Sequence, residues 1–353
     1  MTKPLVSALI DTYNQEHFIE QALVSVIEQG LSPLELEIIV VDDGSTDGTA
    51  SLVAKFAPRV RYIHKKNGGQ ASAFNAAIPE THASVVAFLD ADDWWAPGKL
   101  RAVLDAFGQN PGIAAVGHGY FEVRDNASRT QPVVPERIYN LNLANVEAAR
   151  VARSGCNFLS TSKLAVRRAL VDQMGPIPEQ FVFCADSVLM ALALALGGAI
   201  VLDQALAFYR FHAGNLYESR SADLASLRRK YDIVKANLEF LPPCLSAAGV
   251  PSDVVSAFVK PDLLECERLR LILDGGWPWE TFALELGRFR AAYEQNSISY
   301  ALFKWLVLAS TLFMPPSVFY RMRNWYAEHN LQRFRRKLGE AVPVGIRTRS
   351  NPG

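Results

Sequence analysis

Val85-Val86-Ala87-Phe88-Leu89-Asp90-Ala91-Asp92-Asp93 is the stretch that decides how this chain is read. Five consecutive apolar residues end abruptly in three carboxylates within four positions. An apolar run with no polar alternation is a strand buried on both faces, the kind a parallel sheet contains. On the N-terminal side of it the same plan recurs: strands are predicted over Val6 to Ile10, Glu37 to Val41 and Val60 to Ile63. Helices are predicted over Glu16 to Gln29, Asp47 to Phe56 and after Asn67-Gly68-Gly69. Strands alternating with helices predict an α/β fold with a mostly parallel central sheet flanked by helices. Right-handed crossovers then gather the strand exits, and the ligand loops, along one edge.

Those exits carry the chemistry. Three carboxylates packed together without compensation raise one another's proton affinity, and desolvation adds to the cost. A divalent cation bound to a diphosphate removes that cost. Hard carboxylate oxygens suit Mg²⁺ or Mn²⁺, and one or two protein ligands suffice when phosphate supplies others. The alternative for Asp90 to Asp93 is a solvated acidic turn or a helix cap. At the second strand exit, Asp42-Asp43-Gly44-Ser45-Thr46-Asp47 offers a carboxylate to a base N–H, or else is an ordinary capped turn. At the first, Asp11-Thr12-Tyr13-Asn14 offers a ring for base stacking, or a surface tyrosine. Lys66-Asn67-Gly68-Gly69-Gln70 is a permissive turn whose backbone N–H groups can meet phosphate or ribose. It is not a Walker A loop, and no Gly-x-Gly-x-x-Gly follows the first strand. A nucleotide-plus-metal site would satisfy all of these exits at once.

The second part of the pattern is mixed. A strand near Ile113 to Val123 leads to a polar loop, a helix near Asn140 to Arg153, an extended Cys156 to Thr161 and a helix over Lys163 to Gln173. Asp186 precedes an apolar helical run to Leu196, so it reads as an N-cap or as a general base. Ala199 to Tyr209 is extended and closes on Arg210 and His212, candidates for diphosphate charge and for a metal or phosphate oxygen. Beyond Glu218 the chain reads as helical, over Arg228 to Phe240, from Pro251 onward and from Leu264 to Tyr300.

Bulk composition is globular, and 36 basic residues balance 36 acidic ones, so nothing favours a nucleic-acid partner. The four cysteines lack metal-ligand or redox-pair spacing and read as free thiols in a reducing compartment. The N-terminus has no signal-peptide core, which predicts a cytoplasmic protein. Ala301 to Phe319 is the most apolar stretch, interrupted by Lys304, Pro315 and Pro316. With the rim of Trp305, Tyr320, Arg321, Arg323, Trp325 and Tyr326, residues 301–326 predict a buried helix, a dimer interface or contact with the inner membrane surface.

In order along the chain, Ala8 to Asn14, Val41 to Asp47, Asn67 to Gly69 and Asp90 to Asp93 resemble the inverting family two glycosyltransferases of bacterial polysaccharide and glycan synthesis. The resemblance spans roughly residues 5 to 215 and implies a GT-A fold. It implies a catalytic domain over 1–217, with a nucleotide-sugar-binding half (1–112) and an acceptor-binding half (113–217). A helical region (218–340) and a flexible tail (341–353) would follow. By motif position, Thr12, Tyr13, Asp42 and Asp43 would surround the base, and Asn67, Gly68 and Gly69 would approach the nucleotide. Asp90 and Ala91 would lie at the ribose or sugar, Asp92 with His212 at Mn²⁺ or Mg²⁺, and Arg210 at the diphosphate. Asp186 matches the catalytic aspartate, but Ala185 stands where glutamate usually precedes it. The implied activity is sugar transfer from a nucleoside-diphosphate sugar, with UDP as the expected carrier, to a hydroxyl of a glycan, lipid-linked or protein acceptor. The alternatives are a non-catalytic nucleotide-sugar-binding or scaffold protein, and a sugar nucleotidyltransferase.

Overall fold

The computed structural model describes residues 4–124, 129–212, 224–292, 305–328 and 346–348. Four parallel strands form the centre of the sheet: β1 (Val6–Thr12), β2 (Leu36–Asp42), β3 (Arg61–His64) and β4 (Val85–Asp90). Their order is β4-β1-β2-β3, so the chain runs outward from β1 to β3 and then returns to β1's other side. The crevice at that reversal is where open α/β sheets bind ligands. Registration brings the exits level, pairing Asp11 with Asp90 and Thr12 with Asp42.

Every central strand except β3 is buried along its length, as the unbroken apolar runs demand. Helix α1 (Ile19–Ile27) buries Ile19, Ala22, Leu23 and Val26, a stripe at helical spacing. With Val53 of α2 (Thr49–Ala54), it covers the face carrying Ala8, Ile10, Ile38, Val40, Ala87 and Leu89. Helix α3 (Gln70–Ala77) covers the other face, its Phe74 against Phe88 at 5.0 Å. Helix α1 begins at Ile19 rather than at Glu16, because the preceding residues are tied to the next loop. The Gln15 N–H donates to Thr49 Oγ1, the Glu16 N–H to Asp47, and Glu16 Oε2 accepts from the Gly48 N–H.

A mixed extension carries the sheet past β4. After β5 (Trp94–Trp95) comes α4 (Lys99–Gln109), a helix absent from the sequence expectations although Leu100, Val103, Ala106 and Phe107 hold helical spacing. Then follow β6 (Ala115–Arg124), β7 (Arg129–Pro135) in place of the expected polar loop, and β8 (Tyr139–Leu141). The helix expected from Asn140 starts later, as α5 (Val146–Gly155). Asn140 and Leu141 are held as strand against residues 199–200, and Asn145 caps the Ala148 N–H at 2.9 Å. Cys156 to Thr161, expected extended, forms 3₁₀ turns over Cys156–Leu159 and Thr161–Lys163. The helix expected from Lys163 is preceded by β9 (Ala165–Arg167), wedged antiparallel between β4 and β6, and becomes α6 (Arg168–Met174). Two flanking strands short of partners overrode local preference there. Helix α7 (Asp186–Leu196) leads to β10 (Ala199–Arg210), parallel to β6 and antiparallel to β5 and β8.

The C-terminal extension is helical: α8 (Leu224–Ala247), α9 (Ser252–Leu273), α10 (Pro278–Ala292), helical turns over 305–313 and a last helix, Pro316–Glu328. The chain divides into one compact unit of residues 1–218, 239–258 and 345–353, and another of 219–238 and 259–344. The second unit has its own small core of Leu271, Leu284, Phe319 and Tyr320. The tail expected to be irregular contains β11 (Ile346–Thr348), paired with β7. Of the helix expected to Tyr300 and the expected apolar segment, residues 293–304 lie outside the described residues. Among the described residues no helix is long and apolar enough to cross a membrane.

Candidate active site

The exits of β1, β2 and β4 bring the acidic residues together, but not all in the same role. Both oxygens of buried Asp42 are taken locally: Oδ1 accepts from the Ser45 N–H at 2.7 Å, Oδ2 from the Tyr62 hydroxyl at 2.6 Å. Asp43 faces the Lys65–Gly69 loop. Its carboxylate accepts from Lys65 Nζ at 2.5 Å, the Gly68 N–H at 3.0 Å and the Gly69 N–H at 2.6 Å. The glycine N–H groups expected to meet nucleotide are therefore already committed to a protein carboxylate. Gly69 itself is required: its φ is +84°, and a Cβ would meet Val182 Cα at 2.6 Å. Asn67 is exposed beside it. Thr12 is buried with its hydroxyl unpartnered, and Tyr13 is 48% exposed, free to present its ring to a ligand.

On the β4 side, Asp90 Oδ1 accepts from Gln70 Nε2 at 3.1 Å and Oδ2 from the Ser162 hydroxyl at 3.3 Å. The buried Ala91 donates its N–H to the Asp11 carbonyl at 3.1 Å, locking β4's exit to β1's. Asp92 Oδ2 lies 3.0 Å from His212 Nε2, and His212 packs on Phe18 with centroids 4.9 Å apart. Arg210 is sandwiched between the rings of Phe18 (4.6 Å) and Trp94 (4.5 Å). It donates to the Asp92 carbonyl at 2.9 Å and to Gln21 at 2.5 Å. Asp93 is buried; Oδ1 accepts from the Arg210 N–H at 2.9 Å and Oδ2 has no partner.

Asp186 is not the N-cap of its helix. Ala185 holds that position, and Asp186 opens the first turn. Its Oδ2 accepts from the Thr161 N–H at 2.8 Å and from the Thr161 hydroxyl at 3.1 Å.

The electrostatics follow from this convergence. Burial raises the Asp186 carboxyl above its ordinary range, opposed by Thr161's hydrogen bonds and the charge of buried Lys163. Burial pushes Asp11 up to about 7, with Asp92 and Asp186 adding repulsion against the Gln70 hydrogen bond. Asp93 is pushed up to about 8, by burial first and then by Asp92. Asp90 is raised well above the carboxylate range, by burial and then by Asp11, Asp92, Asp93 and Asp186. Perturbed carboxyls grouped at a strand-end crevice are what an active site looks like physically. Asp11, Gln70, Thr161 and Ser162 are not singled out as site residues by the sequence. Asp11 and Gln70 lie inside the Asp11–Asn14 and Lys66–Gln70 motifs, whereas nothing local marks Thr161 or Ser162.

The model of the family described as glycosyl transferase family 2 matches residues 7–175. An uncharacterized glycosyltransferase of Nostoc sp. is 32% identical over 227 residues, covering 62% of this chain and 68% of the relative. The chain belongs to glycosyl transferase family 2. It is therefore a glycosyltransferase. Other relatives match it in part. A Bacillus subtilis glycosyltransferase is 33% identical over 41% of each chain. Pasteurella multocida chondroitin synthase is 36% identical over 32% of this chain and 12% of its own. This chain thus spans less than half of those two relatives. Among solved structures, Staphylococcus aureus TarS 1–349 in complex with UDP superposes with a TM-score of 0.52 at 16% identity, covering 99% of this chain and 97% of its own. The mannosyltransferase PcManGT of Pyrobaculum calidifontis, with GDP-Man and Mn²⁺, has a TM-score of 0.52 at 21% identity, over 93% and 84%. These likenesses establish the shared GT-A-like fold. Ala185 is buried and donates its N–H to Gln70 Oε1 at 2.9 Å.

Proposed function

We propose that this chain is an inverting, metal-dependent transferase acting on a nucleoside-diphosphate sugar, with UDP as the carrier and a hydroxyl on a glycan, lipid-linked or protein substrate as acceptor. The observation that carries this reading is the meeting of Asp90 and Asp186 on one short Thr161-Ser162 turn. Thr161 donates to Asp186 and Ser162 to Asp90, which supports reading the two carboxyls as the base and a donor-side acid of one site. The nucleobase would lie by Thr12, Tyr13, Asp42 and Asp43 with Asn67, Gly68 and Gly69 alongside. The ribose and sugar would lie by Asp90 and Ala91, and the diphosphate by Arg210.

Among the described residues no group of three or more His, Cys, Asp or Glu is arranged to hold a metal. The residues present nonetheless fit a cation that takes most of its ligands from phosphate. Asp92 and His212 offer one carboxylate and one imidazole, 3.0 Å apart and both partly exposed. Mn²⁺ or Mg²⁺ held there would neutralise charge on the leaving phosphate.

Asp186 would do the proton chemistry. The acceptor oxygen forms its bond to the anomeric carbon as the bond from that carbon to the diphosphate oxygen breaks, and the hydroxyl proton passes to the Asp186 carboxylate. One displacement inverts the anomeric centre. Residues 113–217 would hold the acceptor. The exposed Trp277, Trp279, Trp305 and Phe313 support a surface contact by the C-terminal region. Vesicle cosedimentation and solution mass distinguish a membrane surface, on the inner face of a cytoplasmic membrane, from a second copy.

The test is a donor panel (UDP-glucose, UDP-galactose, UDP-N-acetylglucosamine, GDP-mannose and dTDP-rhamnose) with Mn²⁺ or Mg²⁺. It reads nucleoside diphosphate release and product configuration by NMR. Asp186→Asn is expected to lower kcat by about 10² to 10⁴. Asp92→Ala is expected to abolish metal-dependent donor binding. Folded wild type that binds donor but never transfers it returns the protein to the non-catalytic binding role, and pyrophosphate release points to a nucleotidyltransferase.

A further inference from the structure

Gln70 is half-buried at the first turn of α3, and it makes four side-chain hydrogen bonds, all to the site. Its Nε2 reaches Asp90 Oδ1 at 3.1 Å, Thr161 Oγ1 at 3.3 Å and Asp11 Oδ2 at 3.4 Å. Its Oε1 accepts the Ala185 N–H at 2.9 Å. The chemistry fixes the amide's orientation. Reversed, its oxygen would face two carboxylates and its NH₂ would face another N–H donor. No ionised carboxylate, and no basic or apolar side chain of this length, supplies both halves of that pattern.

The backbone repeats the same connection. The Gln70 N–H donates to the Val182 carbonyl at 2.9 Å, and the Ala71 N–H to Phe181 at 3.1 Å. Two of the N–H groups that a helix start leaves without intrahelical partners are thus used to seat residues 181–185. Cys184, at φ +58°, turns the chain there so that Asp186 follows directly. Helix α3 thereby links the β1 and β4 exits to the segment carrying Asp186, and Gln70 is the side chain through which the link passes.

We propose that Gln70 is a positioning residue for sugar transfer: its amide ties the Asp11 and Asp90 carboxylates to the Ala185–Asp186 backbone and so sets where Asp186 meets the acceptor. The inference rests on the reading of Asp186 as the base. It also accounts for Ala185. With the backbone N–H of residue 185 held by Gln70, this position is anchored through the main chain and needs no side-chain partner.

The experiment compares wild type, Gln70→Met, Gln70→Glu and Asp186→Asn in the donor panel, with UDP and GDP binding by calorimetry and melting temperature alongside. Met keeps the length and loses every polar contact. Glu keeps the shape and acceptor but, once ionised, loses the donor, so it is assayed across pH, and it covers the case in which the Met variant does not fold. Displacing a reacting group by about 1 Å costs on the order of 10²-fold. The expected result is therefore a fall of about 100-fold in kcat, with nucleotide Kd within about threefold of wild type. A kcat within about threefold of wild type in the Gln70 variants, beside an inactive Asp186→Asn, overturns the inference and leaves the parent reading intact. Nucleotide affinity falling in step with kcat also overturns it, because Gln70 would then be a donor contact. Full activity in Asp186→Asn overturns the parent reading and this one with it.

Discussion

Replacing Asp43 is expected to damage the protein through the loop it organises, whatever donor is bound. Asp43 is 5% exposed, and its carboxylate satisfies three donors: a Lys65 ammonium and two successive glycine N–H groups. In Asp43→Ala both glycine N–H groups lose their acceptor, and Lys65, itself largely buried, keeps its charge with no carboxylate beside it and only the Lys66 carbonyl at 2.7 Å to bond. Hydrogen bonds to charged groups contribute about 1.5–3 kcal/mol each, but three that share one carboxylate do not add. Breaking a buried pair from one side costs about 3–5 kcal/mol, and that is the expected loss. Asp43→Asn should be nearly as damaging. Oδ1 serves Lys65 and Gly68 while Oδ2 serves Gly68 and Gly69, so an amide offers one acceptor edge and turns NH₂ toward N–H donors on the other. For a unit of this size each kcal/mol moves Tm by about 2–4 °C, which puts both variants roughly 10 °C below wild type in differential scanning calorimetry. Because the pair is buried, the deficit should persist in about 1 M NaCl. A loss under about 1 kcal/mol in the alanine variant, or an asparagine variant as stable as wild type, would refute the argument.

Further outcomes follow from the same geometry. Asp11 is raised from 3.8 to about 7 in the folded chain, so its contribution to stability is complete below about pH 4 and is lost as pH rises through 7. At about 1.36 kcal/mol per unit, Asp11→Asn should gain up to about 4 kcal/mol over wild type at about pH 8 and little at about pH 4, read as Tm at the two pH values. An equal offset at both would exclude that linkage. Asp186 acts only when ionised, and burial raises it. The rate should therefore fall on the acid side at a pH above the ordinary carboxylate range, and a limb near about pH 4 would count against its assignment. Gly117→Ala would drive a Cβ into the Phe158 carbonyl oxygen and set it 2.6 Å from Leu159 Cδ2. Backbone cannot yield there, so a loss above about 3 kcal/mol or insoluble protein is expected. Gly108→Ala meets nothing within 4 Å inside α4 and should stabilise by about 0.5–1 kcal/mol in the same melts.

Residue order alone was enough to establish the parallel centre of the sheet and the location of its acidic edge. The apolar runs within Glu37 to Val41 and Val85 to Leu89 read as strands buried on both faces, and a parallel sheet sends their exits one way. That logic is local, so it was legible. Asp90, Asp92 and Asp186 stand out in the sequence as carboxylates in apolar surroundings, and the fold brings them close enough to repel one another. What it left undecided depends on contacts far along the chain. Ala165 to Arg167 are strand rather than helix because β4 and β6 both present free edges to them. The Thr161-Ser162 turn joins the site because β9 follows it and fixes it beside Asp90 and Asp186, 72 and 25 residues away in sequence. Asp43 and the glycine N–H groups, read separately as nucleotide contacts, turn out to bond each other across 25 residues. A side chain's type states what it can bond to, and only the folded backbone decides which of those partners comes within hydrogen-bonding reach.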